Sequence, residues 1–219
     1  MIKAVLFDLD GTLVNSIYDL ADCVNFALKG AGLKERKLNE FYYFVGDGMP
    51  VMVKRALPDN DKSEETFNKV YSEFIKKYSV SFADKTVAYD GVKDLVKSLK
   101  ECGIKTAVVT NKAQDMAEKV VKKCYGDLFD IILGKNDFIP LKPDPKGAMY
   151  VMEKLNVEPF ECIFIGDSAN DVKTGVNAKA VSVGELWGYR EREELIDAKA
   201  DYIIEKPEEL VSIIRKING

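Results

Sequence analysis

The chain has 219 residues, enough to bury a sizeable core as one large domain or one domain with an insertion, and its 47% hydrophobic and 31% charged composition excludes a disordered or low-complexity chain. A net charge of −4 leaves no basic footprint. Nucleic acid is therefore disfavoured as a partner, and any anionic substrate must be drawn in locally, by a metal or by individual lysines and arginines.

Histidine is absent altogether, which excludes Ser-His-Asp triads, histidine bases and histidine metal ligands together. Acid–base chemistry then falls to carboxylates and metal binding to oxygen. Cys23, Cys102, Cys124 and Cys162 lie far apart with no C-x-x-C pair, so neither a metal knuckle nor a redox motif is written, and they read as reduced thiols. The opening run MIKAVLF is too short for a signal peptide and no later stretch reaches a transmembrane length, so a cytoplasmic protein without a membrane partner is expected.

Residues 3–7 read as a buried strand that ends in Asp8-Leu9-Asp10-Gly11. In extended chain the two carboxylates take one face while Leu9 takes the other. The next strand starts only near 104, far beyond what a crossover needs, and the gap carries helical patterns. Ser16 followed by Asp19 resembles a capping box, and Ile17, Leu20, Ala21, Val24, Ala27 and Leu28 recur at helical spacing. Two shorter pieces at 38–45 and 49–57 flank Gly46-Asp47-Gly48. Phe67, Val70, Tyr71, Phe74, Ile75 and Tyr78 then form a second long stripe. Residues 15–85 thus predict a small helical domain inserted after the aspartate pair, leaving 1–14 and 86–219 as the main domain.

From 92 onward helix and strand alternate. Val92, Leu95, Val96 and Leu99 share one helical face, with Gly103 suited to the stop. Strands are predicted at 104–109, 130–133, 162–165, 180–183 and 201–204, which makes an α/β fold with a parallel sheet covered on both sides. Ligands of such sheets bind beyond the carboxyl ends of the strands. The residues that follow the strands there are Asp8 and Asp10, then Thr110-Asn111-Lys112, then Lys142, then Gly166-Asp167-Ser168-Ala169-Asn170-Asp171. Each has an ordinary reading alone: Asp10-Gly11 as a turn, Thr110 as a cap, Lys142 as a loop charge, Asp167 and Asp171 as helix-start acids. Their joint placement on one rim is what those readings fail to predict.

The set D-x-D-G-T after the first strand, a threonine after the second, K-P-D-P, and G-D-x-x-x-D after the fourth resembles the four motifs of the haloacid dehalogenase-like hydrolases. The stretches DGTLVNS, VGDGM, AVVTNK, GDSANDV and ELWGYR resemble the phosphoglycolate phosphatase group within them. That resemblance implies a Rossmann-like core with an inserted helical cap domain. It implies Asp8 as a nucleophile that becomes aspartyl-phosphate and Asp10 as the acid that protonates the leaving oxygen and later deprotonates water. Mg²⁺ would be held by the Asp8 side chain, the Asp10 carbonyl and the Asp167 side chain, with Asp171 steadying the shell or Lys142. Thr110 and the amides of Asn111 and of the 9–11 turn would hydrogen-bond the phosphoryl oxygens, Lys142 would neutralise them, Gly11 would leave room and Thr12 would support the loop.

The partner implied is a small-molecule phosphoester. Arg55 is a candidate for meeting a substrate carboxylate in bidentate fashion, with a solvated helix face as its ordinary reading. Asp47, in contrast, is an acid where an anionic substrate would approach, and Gly188-Tyr189-Arg190 is a further candidate contact. Phe41, Tyr42, Tyr43 and Phe44 read as packing. Phosphatases of nucleotides, pyrophosphate or sugar phosphates compete on the same motifs. A β-phosphoglucomutase-like mutase fits less well because the fourth motif lacks its paired acids. A phospho-accepting receiver domain carries its aspartate after the third strand, whereas the acidic pair here follows the first. Monomer and homodimer both remain open.

Overall fold

The structure is a computed structural model that describes residues 1–219. In chain order β1 (Ala4–Phe7) is followed by β2 (Val14–Asn15), then by the helices α1 (Ile17–Gly30), α2 (Leu38–Phe44), α3 (Met49–Ala56) and α4 (Glu64–Ser81), and by β3 (Val87–Ala88). Beyond these the elements alternate: α5 (Val92–Glu101), β4 (Lys105–Ala113), α6 (Gln114–Tyr125), β5 (Ile131–Lys135), α7 (Lys146–Leu155), β6 (Cys162–Gly166), α8 (Ala169–Asn177), β7 (Val181–Glu185), α9 (Arg192–Asp197), β8 (Tyr202–Ile204) and α10 (Glu209–Asn218). No helix is long and apolar enough to cross a membrane.

Six strands form one parallel sheet in the order β5-β4-β1-β6-β7-β8. All residues of β1 and β6 are buried, as a sheet covered on both faces requires of its apolar strands. Alternation assigns the two layers. Val5 and Phe7 pack with Val96 of α5, Val120 of α6 and Leu210 of α10, while Ala4 and Leu6 pack with Val151 and Met152 of α7. Each such large apolar side chain contributes about 1.5–3 kcal/mol on burial. The strand order reverses at β1, so the crevice at its carboxyl end is where ligands of this architecture bind.

The four helices after β2 have a core of their own. Ile17, Leu20, Val24 and Leu28 of α1 meet Val70, Phe74 and Tyr78 of α4, with Phe41 and Val53 beside them; from outside residues 17–78 Met116 is the one buried contributor, with Phe82 and Tyr189 packing at the edge. The predicted stripes are therefore the buried faces. Where the chain leaves and re-enters the sheet layer, β2 and β3 pair antiparallel, Val14 opposite Ala88 and Asn15 opposite Val87. A two-residue pairing has no periodicity to read, which is why the sequence did not announce it.

Two local expectations are corrected. Ser16 precedes α1, but its side chain makes no capping bond; its hydroxyl donates to Asp10 Oδ1 at 2.6 Å. Asp19 is 3% exposed and accepts from the backbone N–H groups of Lys85 (3.0 Å) and Thr86 (2.7 Å), tying the returning chain to α1. The second strand of the main sheet also runs to Ala113, four residues beyond the predicted end, with a register shift after Val109. Thr110, Asn111 and Lys112 can be buried there because each finds a polar partner.

Candidate active site

β1, β6 and the start of α8 bring Asp8, Asp167 and Asp171 together, with one carboxylate oxygen of each lying within 4.8 Å of the others. Lys142 Nζ donates to Asp8 Oδ1 at 2.5 Å and to Asp171 Oδ1 at 2.6 Å, 5.7 Å from the centre of the Phe164 ring. Burial works against the ammonium charge, yet Asp171 and Asp8 outweigh it and hold Lys142 above the usual lysine range. Burial, reinforced by the charge of Asp171, pushes the Asp8 carboxyl up to about 7 despite Lys142. Asp167 is pushed well above the carboxylate range, first by burial and then by Asp171 and Asp8.

Both oxygens of Asp171 are already engaged, Oδ1 by Lys142 and Oδ2 by the N–H (3.0 Å) and hydroxyl (2.5 Å) of Ser168. Asp8 meets Lys142 through Oδ1 and Asp167 meets the Tyr189 N–H through Oδ2, each leaving its second oxygen clear of side-chain partners, whereas both oxygens of Asp171 are taken. Three buried carboxylates against one ammonium, all hard oxygen donors, form a set that fits a divalent cation.

Asp10 is turned elsewhere. Lys112 Nζ lies 3.0 Å from each of its oxygens, and Ser16 donates to Oδ1. The backbone N–H of Ser16 donates in turn to the Tyr189 hydroxyl (3.0 Å), whose own backbone N–H donates to Asp167 Oδ2 (2.8 Å). One residue of the loop after β7 thus supports both aspartate environments. That loop fits tightly: a Cβ at Gly188 would stand 2.4 Å from Asp167 Cβ and 2.5 Å from the Gly11 carbonyl oxygen. Gly11 has φ +101°, and a Cβ there would meet the Asp167 carboxylate at 2.6 Å, so both positions exclude a side chain. Thr12 is fully buried. Its hydroxyl donates to Glu185 (3.3 Å) and its carbonyl accepts from Trp187 Nε1 (3.0 Å), which places it as loop support rather than in the cavity. Burial and Asp167 push the Glu185 carboxyl well above its ordinary range.

A cavity of about 410 Å³, counted to its open mouth, separates this edge from the helices. Asp8, Asp10, Thr110, Asn111 and Lys112 line its floor, and Leu20, Val45, Gly46, Gly48, Met49 and Met52 line its roof. The Asn111 side chain links the two halves, donating to the carbonyls of Gly46 (2.9 Å) and Lys142 (3.2 Å) and accepting from the Lys142 N–H (2.8 Å). Arg55 is not brought into this cavity. Its guanidinium pairs with Asp47 (2.5 Å) and donates to the Phe44 carbonyl (3.1 Å) in a neighbouring cleft shared with Asn170 and Arg190. Asp47 also accepts from Asn170 (2.7 Å), so its charge is balanced outside the cavity. Arg190 donates to the Val45 carbonyl at 2.8 Å, and Tyr42 packs on Tyr189 at 5.8 Å. Phe41 is buried in the helical core, whereas Tyr43 is exposed and lies under Arg190.

Lys112, Ser16 and Glu185 carried no role in the sequence reading. The face argument applied to Asp8 and Asp10 would have found Lys112, since Thr110 and Lys112 alternate about Asn111 in the same way. Ser16 was masked by its resemblance to a helix cap. Nothing local in the sequence marks Glu185.

An α/β sheet with a buried acid–lysine centre at its carboxyl edge and a helical roof over it is the architecture of an enzyme. The haloacid dehalogenase-like hydrolase family matches residues 5–184. The phosphoglycolate phosphatase of Psychrobacter arcticus is 36% identical over 194 residues, covering 85% of this chain and 84% of that protein. That of Haemophilus influenzae is 33% identical over 219 residues, covering 97% and 98%. The crystal structure of a predicted phosphoglycolate phosphatase from Haemophilus somnus 129pt superposes with a TM-score of 0.91 at 31% identity, covering 97% of this chain and 98% of that one. The chain belongs to the haloacid dehalogenase-like hydrolases and is a phosphatase, a phosphoric monoester hydrolase, of that family.

Proposed function

We propose that the chain hydrolyses 2-phosphoglycolate to glycolate and phosphate, with Mg²⁺ as cofactor and an aspartyl-phosphate on Asp8. The observation that carries the mechanism is the division of the two aspartates around one cavity: Asp8 sits with Lys142 in the acidic cluster, and Asp10 sits apart with Lys112 and Ser16. Two carboxylates in different environments suit different roles. The name shared by the relatives supports the substrate.

The side chains of Asp8 and Asp167 and the Asp10 carbonyl would hold Mg²⁺, which when bound would supply positive charge to the phosphoryl oxygens. An Asp8 oxygen attacks phosphorus as the ester P–O bond breaks, and Asp10 gives its proton to the leaving oxygen. Lys142 orients Asp8 and shields its charge from the incoming anion, while Thr110 and Asn111 hold the phosphoryl group. In the second half Asp10 takes a proton from water, the water oxygen bonds to phosphorus, and the bond to Asp8 breaks. Residues 15–85 act as a cap over the core of 1–14 and 86–219, and its apolar roof excludes bulk water.

A panel of phosphoesters ranked by kcat/KM tests the substrate, with 2-phosphoglycolate expected first. Acid-quenched turnover should show phosphate on Asp8 by peptide mass. An Asp8→Asn variant that still turns over would remove Asp8 from the nucleophile's place.

A further inference from the structure

We propose that Lys112 reads the leaving group, so that the enzyme selects phosphate esters of α-hydroxy carboxylic acids. The inference rests on the roles proposed for Asp8 and Asp10 and deepens that reading. Lys112 is the one cationic side chain that lines the cavity. Arg55, which the sequence offered for carboxylate recognition, spends its charge on Asp47 in the next cleft.

The position of Lys112 is what defines the substrate class. If Asp10 protonates the leaving oxygen, that oxygen lies against Asp10 during the reaction. An ammonium 3.0 Å from both Asp10 oxygens then stands beside the carbon that bears the leaving oxygen. In an α-hydroxy acid the carboxylate is attached to that same carbon, so it falls within reach of Nζ. A neutral alcohol brings nothing there, and an anion several carbons further out overshoots it.

The surroundings of Lys112 favour such a contact. The residue is 4% exposed, so little water competes for its hydrogens. An ammonium has three donors, and Asp10 accounts for two. Tyr78, from α4, is the other group beside Nζ, its ring 5.2 Å away and its buried hydroxyl a weak, neutral partner that a substrate carboxylate can replace. Leu20, Met49 and Met52 close the rest of the roof with apolar surface, which leaves a polar leaving group few other partners.

The test compares 2-phosphoglycolate with ethyl phosphate, which has the same carbon count and a neutral leaving group, for the parent enzyme, Lys112→Met, Lys112→Arg and Arg55→Ala. Losing Lys112 also deprives Asp10 of a partner, so both esters are expected to slow; a loss common to the two cancels in the ratio of their kcat/KM values. That ratio should fall about 10–100-fold in Lys112→Met, the worth of a charge-assisted hydrogen bond, chiefly through KM for 2-phosphoglycolate. Lys112→Arg should restore part of it, and Arg55→Ala should leave it unchanged. Should Lys112→Met lose turnover of both esters, the same ratio is read from calorimetric Kd values on an Asp8→Asn background with and without the Lys112 change. A parent enzyme that prefers 2-phosphoglycolate while Lys112→Met keeps the preference would overturn this inference alone. A parent enzyme without that preference overturns the substrate reading and the inference with it.

Discussion

Lys142 is the single cation set against three buried carboxylates, and the imbalance makes Asp8 costly to fold in its charged form. In the unfolded chain Asp8 titrates near 3.9, whereas burial and Asp171 push it up to about 7 in the fold. Folding therefore takes up a proton between these values. The cost of the charge is fully present above pH 7, is relieved as the pH falls through 7, and is gone below about 4. In chelator, Asp8→Asn should stabilise the protein at pH 8 by about 1 kcal/mol or more, roughly 2–4 °C in Tm, and the gain should vanish toward pH 4. Urea melts at several pH values check it, and a variant less stable than the parent at pH 8 would contradict the charge argument. Arg55 makes the opposite case. Its pair with Asp47 is more than a third exposed on both sides, and such pairs contribute about 0–1 kcal/mol. Arg55→Ala should leave kcat/KM for 2-phosphoglycolate within about threefold of the parent, under about 0.7 kcal/mol.

The loop between β7 and α9 does more for the site than its sequence suggests. Tyr189 donates to Asp167 through its backbone and receives Ser16 through its hydroxyl, while Gly188 lets the chain pass against Asp167 and Gly11. Gly188→Ala places a carbon where 2.4 Å is available, so the loop must move and take the Asp167 carboxylate with it. With Asp167 as the proposed metal ligand, loss of a partner that orients it should cost about 10–100-fold in metal affinity, which a Mg²⁺ titration of Gly188→Ala checks. The six main-sheet strands were legible as short continuous apolar runs, and the long helices because each buries a periodic apolar face. The partners of Asp10 were not legible in the same way. Lys112 comes from β4, 102 positions from Asp10, and Ser16, just before α1, is in turn held by Tyr189 of the loop after β7, 173 positions away; no local spacing reports such contacts. Ser16 shows how the error arises, since serine before a helix is usually a cap and only the tertiary fold turns its hydroxyl to Asp10.

The molecule has one core within the sheet layers and another among the first four helices, with the cavity between them. That two-core arrangement was readable as a gap too long for a crossover, although the β2–β3 pairing at its base was not. A cation that binds the folded acidic cluster and not the unfolded chain must raise stability by mass action, about 2.7 kcal/mol at a hundredfold excess over Kd. Thermal melts with rising Mg²⁺ should therefore move upward, and Asp167→Asn should abolish the movement; an unchanged rise in that variant would place the ion elsewhere.

The β2–β3 pairing sets Asn15 beside Val87, so the chain enters and leaves the helical segment through one narrow doorway. Such a doorway makes the segment a cassette. A different helical bundle could be spliced between Asn15 and Val87 without displacing a strand of the main sheet, although it would have to replace Ser16 and Tyr78 to keep Asp10 and Lys112 in place. The sheet could thereby keep its phosphoryl chemistry while successive bundles supply new roofs, and with them new leaving groups.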